Sequence, residues 1–355
     1  MILKGFDTLE FGLKVENYES SLRPYLDLFQ ELKVEAQETG IEQTLLLNNV
    51  TLTVHRTGKR FYPFRVSCDD FVVFFADKEL NMNPPIFVRF SSGYIWSFGL
   101  AGAYKHFTEW LQLLTDSSYR NQISRVDICV DSDSVTFRQI DSKGVTTRAR
   151  KKEECFVSGE YTNGRKFSGF RVGIGGPLLA RIYNKTMEIQ KSGKDWFKQI
   201  WREHGWNEDK DVWRVEFQLR REVLKEFSIH TIEELLEKEN NLWAYLTHEW
   251  LTIRQQSSDN VSRWKIKRKW TAIQKADMKY EASPLIREKV KQGSLEQLLN
   301  QGRGILLSVA AIGNHNSIED TTKLFQSWTE IGLNKKNTSF HEEKERRRKK
   351  YLFND

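Results

Sequence analysis

The chain has 355 residues, 39% hydrophobic and 29% charged, enough for a substantial core and for two or three domains, or one large domain with appendages. Its 55 Lys and Arg against 48 Asp and Glu leave a formal charge of +7, a balance that favours a polyanionic partner. The 3 cysteines (Cys68, Cys129, Cys155) include no CxxC pair, which sets aside a disulfide framework and a zinc cluster. The N-terminus lacks a signal-peptide pattern, and no apolar run reaches the ~18 residues of a membrane span, so a cytoplasmic protein without a membrane partner is expected.

Residues 5–15 (GFDTLEFGLKV) alternate polar and apolar side chains as a strand does, and residues 21–37 carry apolar residues at helical spacing. Strands are expected at 44–56, 63–67, 71–76, 85–91 and 94–99, where Val, Ile, Phe, Tyr and Trp run between turn-forming Gly, Asn, Asp and Pro. An amphipathic helix at 103–116 leads to the strand SRVDICVD at 124–131. Three more strands and a basic loop (143–152) fill 132–180. ARIYNK at 180–185 and VWRVEFQL at 212–219 are further strands, with a helix over 194–205 between them. Beyond residue 230, Thr231 with Glu234 and Ser294 with Gln297 have capping-box spacing, and Ser283–Pro284 reads as an N-cap followed by Pro. The expected fold is α+β: an antiparallel sheet with one face covered by helices, followed by a helical C-terminal lobe. The expected division is 1–230 for the sheet domain, 231–340 for the helical lobe and 341–355 for a charged, fraying tail.

Three segments share a feature when read with the two-residue period of a strand. Val126, Ile128 and Val130 point one way, and Arg125, Asp127, Cys129 and Asp131 the other. Ile182 opposes Arg181, Tyr183 and Lys185, while Val215, Phe217 and Leu219 oppose Arg214, Glu216, Gln218 and Arg220. Burying the apolar faces leaves a polar floor of carboxylates, arginines, a lysine and a tyrosine, an inventory that suits phosphodiester chemistry. Asp127 with Glu216, and Asp131 beside them, offer the hard oxygen ligands that Mg2+ or Mn2+ prefers. A tyrosine can attack phosphorus and keep the bond energy in a covalent phosphotyrosine. Its ordinary pKa of about 10 requires a nearby cation, and Lys185 stands on the same expected face. The same alternation also belongs to any half-buried sheet with cross-strand Arg–Glu pairs.

The order SRVDICVD, RIYNKTME, WRVEFQLRRE resembles the replication-initiation factors of rolling-circle plasmids and phages, of the Rep-trans type, whose relatives include tyrosine relaxases of integrative elements. In that family an R-x-D-x-x-x-D strand precedes a Y-x-K-x-x-E segment and a W-R-x-E-x-x-L/F-R segment. Here these are Arg125, Asp127 and Asp131; Tyr183, Lys185 and Glu188; and Trp213, Arg214, Glu216 and Arg220. The resemblance runs over residues 5–230 and takes in the opening GFDTLEFGL. It implies a nicking domain that cuts and rejoins one strand at an origin, with Tyr183 as nucleophile, a 5′-phosphotyrosyl intermediate, and Asp127 and Glu216 at a divalent metal. Lys185 assists, and Arg125, Arg181, Arg214 and Arg220 face phosphate. The implied partners are origin duplex and single-stranded nick site, a host helicase and polymerase, and a second copy of the chain. The histidines are scattered, with no histidine–hydrophobic–histidine motif, in keeping with a carboxylate-rich site.

Two basic stretches carry aromatics. Residues 143–171 hold 8 Lys or Arg against 3 acidic residues, with Phe156, Tyr161, Phe167 and Phe170 among them. Residues 254–279 hold 8 against 2, and Trp264, Lys265, Lys267, Arg268, Lys269 and Trp270 form the densest part. Cations that track a backbone and rings that stack bases are what single-strand binding uses. Tyr161 is a candidate second tyrosine for termination. Two other readings stand beside rolling-circle initiation: a relaxase that starts conjugative transfer of an integrative element, and a nucleic-acid-binding protein without catalysis.

Overall fold

In the computed structural model, residues 1–81, 83–149, 162–163, 166–276 and 294–351 are described. The chain opens with β1 (Ile2–Val15) and α1 (Tyr18–Thr39), followed by β2 (Gln43–Leu47), β3 (Val50–Val54), β4 (Phe64–Ser67), β5 (Phe71–Phe75) and β6 (Ile86–Phe90). Next come α2 (Ser92–Gln112), β7 (Tyr119–Ser132), α3 (Gln139–Lys143), β8 (Val145–Thr147), β9 (Thr162–Asn163), β10 (Lys166–Phe167), β11 (Gly169–Val172) and β12 (Leu178–Asn184). They are followed by α4 (Lys185–Ser192), α5 (Trp196–Glu203), β13 (Trp213–Arg220), α6 (Arg221–Glu226), α7 (Ile232–Ala244), a π-helical turn (Tyr245–Trp250), β14 (Leu251–Ile253) and α8 (Arg268–Gln274). The last helices are α9 (Ser294–Gly313), α10 (Ile318–Lys335) and α11 (Phe340–Tyr351).

A 10-stranded sheet in the order β11-β12-β13-β7-β1-β6-β5-β4-β3-β2 organises the first unit, and its pairings are antiparallel. Alternation decides its two faces. Leu9, Phe11, Val126, Ile128, Val130, Ile182, Val215 and Phe217 are buried on one side. There α1 contributes Tyr18, Leu22, Leu26 and Phe29 at helical spacing, α2 brings Phe107 and Trp110 against Phe71, and α7 sets Trp243 edge-on to Phe217. Burial of each such large side chain stabilises by about 1.5–3 kcal/mol. The fold is thus α+β, with helices over one face of an antiparallel sheet and a helical region at the C-terminal end.

Several sequence expectations need correction. Residues 44–56 form not one strand but the hairpin β2–β3, because Asn48 and Asn49 both take positive φ (48° and 61°), the geometry of a type I′ turn. Residues 94–99, rich in bulky residues, belong to α2, which starts at the Ser91 cap and is kinked at Gly99 (φ 68°, ψ 162°). Lys185 does not continue β12. The Asn184 Oδ1 accepts the Met187 amide at 3.0 Å, capping a new helix whose first residue is Lys185.

The chain divides into two units, residues 1–191 with 201–282 and residues 192–200 with 283–355, as far as each is described. The first therefore runs past the residue-230 boundary expected from sequence: α7 begins at a Thr231–Glu234 capping box, and β14 pairs with β8. The second contains α9, α10 and α11, with Ser317 capping α10 through the Asp320 amide at 3.1 Å. Ser283–Pro284, Cys155 and Tyr161 lie outside the described residues. Among the described residues no helix is long and apolar enough to cross a membrane.

Candidate active site

The polar face of β12, β13, β7 and β1 carries two Arg–carboxylate clusters. Register sets both: Tyr183 lies opposite Arg214, Arg181 opposite Glu216, and Gln218 opposite Asp127. In the first cluster Tyr183 Oη donates to Glu216 Oε2 at 2.9 Å. Arg181 donates to Glu216 Oε1 through Nη1 and to Gln218 Oε1 at 2.6 Å. Arg125 grips Asp127 with both ends of its guanidinium, at 2.8 and 2.5 Å, and Arg181 Nη1 lies 3.7 Å from Asp127 Oδ2. Lys185, buried, pairs with Glu188, and its Nζ stands 5.7 Å from the Tyr183 ring centroid.

Beside these groups is a cleft of about 300 Å³. It is lined by Ser168, Arg181, Tyr183, Asn184, Met187, Glu188, Lys191 and Glu216. The Ser168 hydroxyl there is buried without a hydrogen-bond partner among the described residues. Gly169 faces Tyr183 across β11 and β12. A Cβ at Gly169 would stand 2.7 Å from Tyr183 Cβ and 2.6 Å from the Ile182 carbonyl, so only glycine lets the strands approach here. Sequence reading missed Ser168 and Gly169, whose sole signal is their register against the tyrosine strand.

Burial, and then the charge of Glu216, push the Tyr183 phenol well above its usual pKa of 10, while Arg214 works in the opposite direction. The hydroxyl is a neutral donor at rest. Asp127 is raised to about 6 by burial, with Arg125 opposing and Glu216 reinforcing. The face thus holds a protonated phenol bonded to a carboxylate that can take its proton, with guanidinium groups alongside.

The second cluster is sealed. Arg214, fully buried, donates to Asp131 at 2.6 and 2.8 Å and to Asp7 at 2.5 Å. The Trp201 indole donates to Asp131 at 3.0 Å, and the Trp96 indole and Ser92 hydroxyl donate to Asp7 at 3.3 and 2.9 Å. Trp96 packs where Gly5 has no side chain, within 3.0 Å of the Cβ position. Arg214 and Asp131, expected at phosphate and metal, therefore satisfy each other in the interior. Arg220 is exposed at the end of β13 and outside both clusters.

The carboxylates do not suit the expected Mg2+ or Mn2+ as they stand. Every oxygen of Asp127 and Glu216 already accepts from Arg125, Arg181 or Tyr183, and Asp131 is committed to Arg214. Among the described residues no group of 3 or more His, Cys, Asp or Glu is placed to hold a cation. Arg181 is the cation that lies between Asp127 and Glu216.

The 254–279 patch is partly structural. Lys267 and Lys269 clamp Asp141 at 2.6 and 2.7 Å. Trp270, expected to stack bases, is fully buried and donates to the Thr247 carbonyl at 2.9 Å. Trp264 donates to the Ser258 carbonyl at 2.6 Å, while Lys265 and Arg268 remain exposed.

No protein-family model and no curated protein matches the chain. Among solved structures it is similar to a rolling circle replication initiator protein from Geobacillus stearothermophilus, at 14% identity and a TM-score of 0.43, covering 79% of this chain and 100% of that one. A likeness at that level assigns no role to any residue.

Proposed function

We propose that the chain cuts and rejoins one strand of DNA, with Tyr183 as nucleophile, as an initiator of rolling-circle replication. The observation that carries this reading is the Tyr183–Glu216 hydrogen bond of 2.9 Å at a cleft that also presents Arg181. In the attack the phenol oxygen bonds to phosphorus as its proton passes to Glu216. The phosphorus–3′ oxygen bond breaks, and the leaving oxygen takes a proton from solvent. Arg181 is placed to offset charge growing on the phosphoryl oxygens, and Lys185 adds positive charge near the ring. The strand is left as a 5′-phosphotyrosyl adduct and a free 3′ hydroxyl, and reversal rejoins it. The motif order Arg125–Asp127, Tyr183–Lys185–Glu188, Arg214–Glu216 supports the origin-nicking role. A divalent cation would enter only by displacing Arg181 from Asp127 and Glu216.

The test is denaturing electrophoresis of wild type and Tyr183→Phe with a labelled single-stranded library, with and without manganese. Wild type should give a protease-sensitive covalent adduct that Tyr183→Phe lacks. An equal adduct from Tyr183→Phe, or none from wild type in either condition, would remove Tyr183 as nucleophile.

A further inference from the structure

The polar face of the sheet runs on from the Tyr183 cleft past Arg125 and Glu10, whose side chains keep 23% and 19% exposure, to β6, β5 and β4, and its far part has no role in the chemistry above. There Phe87 pairs with Phe74 and Phe74 with Arg65, opposite the core side chains Val73, Phe75, Val88 and Phe90. Their rings lie 6.0 Å apart, half-exposed, with Tyr62 6.1 Å from Phe87. Lys59 Nζ rests on all of them, at 3.1 Å from the Phe87 centroid, 4.2 Å from Phe74 and 4.9 Å from Tyr62.

The cations here are poorly neutralised. Lys59 has no carboxylate within ion-pair distance, and Arg65 Nε is buried without a hydrogen-bond partner among the described residues. Arg89, 55% exposed, lies 3.6 Å from Glu10. Between Lys59 and Tyr62, whose backbones exchange hydrogen bonds of 2.9 Å, a tight turn displays Arg60 and Phe61. Phe61 is 53% exposed and held at φ 71°, a conformation costly for a bulky residue. A shallow cleft beside it is lined by Lys59, Phe61, Tyr62, Pro63, Asp77, Lys78 and Leu80, with Asp77 its one acidic side chain.

We propose that the Lys59–Phe61 turn with Phe74, Phe87, Arg65 and Arg89 is a binding surface for single-stranded DNA, joined to the Tyr183 cleft along the sheet face past Arg125 and Glu10. Cations that outnumber the carboxylates beside them call for phosphate, and rings beside them offer faces on which bases of any sequence stack. Lys59 covers the rings in the free protein and turns to phosphate when a base takes its place. From β12 to β5 are five strand steps of about 4.8 Å, roughly 24 Å in all. That is the length of about seven stacked nucleotides at ~3.4 Å each, so a short oligonucleotide would reach one site and a longer one both. The ligand class rests on the strand-transfer reading; the identity of the nucleophile does not enter.

Fluorescence anisotropy with labelled oligo(dT) of 5 and 20 nucleotides tests this on the full chain, with a 20-base-pair duplex as comparison. Wild type should bind the 20-mer well above the 5-mer and above the duplex. Phe74→Ala/Phe87→Ala should weaken the 20-mer by about tenfold or more and leave the 5-mer unchanged. Lys59→Glu/Arg60→Glu, confined to the exposed turn, should do the same without touching the core. Unchanged 20-mer affinity in the turn variant, or an equal loss for the 5-mer, overturns the proposal. So does wild-type preference for duplex, or displacement of the 20-mer by polyglutamate at equal charge, which would point to an acidic protein. If the length-dependent loss appears but wild type forms no covalent adduct, the surface stands and the nucleophile reading falls.

Discussion

The two Arg–carboxylate clusters on the polar face are built from the same residue types around the shared strands β7 and β13, yet they have different characters. Around Arg214, which is fully buried, Asp131 is closed over with Trp201 and Trp96 alongside, and Asp7 keeps 14% side-chain exposure. Around Arg181 the carboxylates of Asp127 and Glu216 stand beside a cleft, and Arg181 and Arg125 keep 25% and 23% side-chain exposure. An ion cluster is a structural tie where indoles close over it, and a candidate reaction centre where a cleft lies beside it. The difference lies in what covers the sheet.

The comparison can be broken at its open end first. Glu216→Gln should retain the fold and lower the rate of adduct formation by about 10²–10⁴-fold, the usual worth of a positioned general base, read as single-turnover rates on an intact single-stranded oligonucleotide that wild type cuts. A rate near wild type would mean that the phenol proton leaves by another route. At the sealed end, Arg214→Met strands the buried Asp131 carboxylate and leaves the partly exposed Asp7 without its partner, and should cost about 3–5 kcal/mol in urea unfolding. A loss under 1 kcal/mol would show that the interior cluster is not closed to water.

The smallest effect concerns pH. Asp127 has a folded pKa of about 6 against an ordinary carboxyl value of 3.8, so the folded chain binds its proton more readily than the unfolded chain does. By linkage this group favours folding more as pH falls from 7 through 6 toward 4, and less as pH rises. Compared with Asp127→Asn, wild type should gain on the order of 1–3 kcal/mol over that window, measured by urea unfolding at several pH values. A gain in the other direction would mean that Arg125 holds the carboxyl below its ordinary pKa in the folded chain.

Much of the sheet was legible because alternation is a local property. Val126, Ile128 and Val130 announce a buried face wherever the strand is placed, and Asp127 and Glu216 fall opposite them by the same count. Less was legible where a segment is apolar without a period. Residues 94–99 contain Tyr, Ile, Trp and Phe and suit a strand by composition, but the Ser91 cap and the kink at Gly99 put them in a helix. The positive φ of Asn48 and Asn49 belongs to turn chemistry that the sequence does display, although the run of β-formers on both sides conceals it.

The sequence by itself determined the polar and apolar faces of the strands, the α+β class and, Lys185 excepted, the set of residues that share one face with Tyr183. It did so because side-chain direction follows from strand period alone. Only the tertiary structure decided which of those residues meet a cleft. Arg214 finds Asp7 from 207 positions away, Trp96 and Trp201 arrive from separate helices to seal it, and Trp270 is drawn into the core. Burial of a polar group is a sum over such long-range neighbours, and no local pattern in the strand contains that sum.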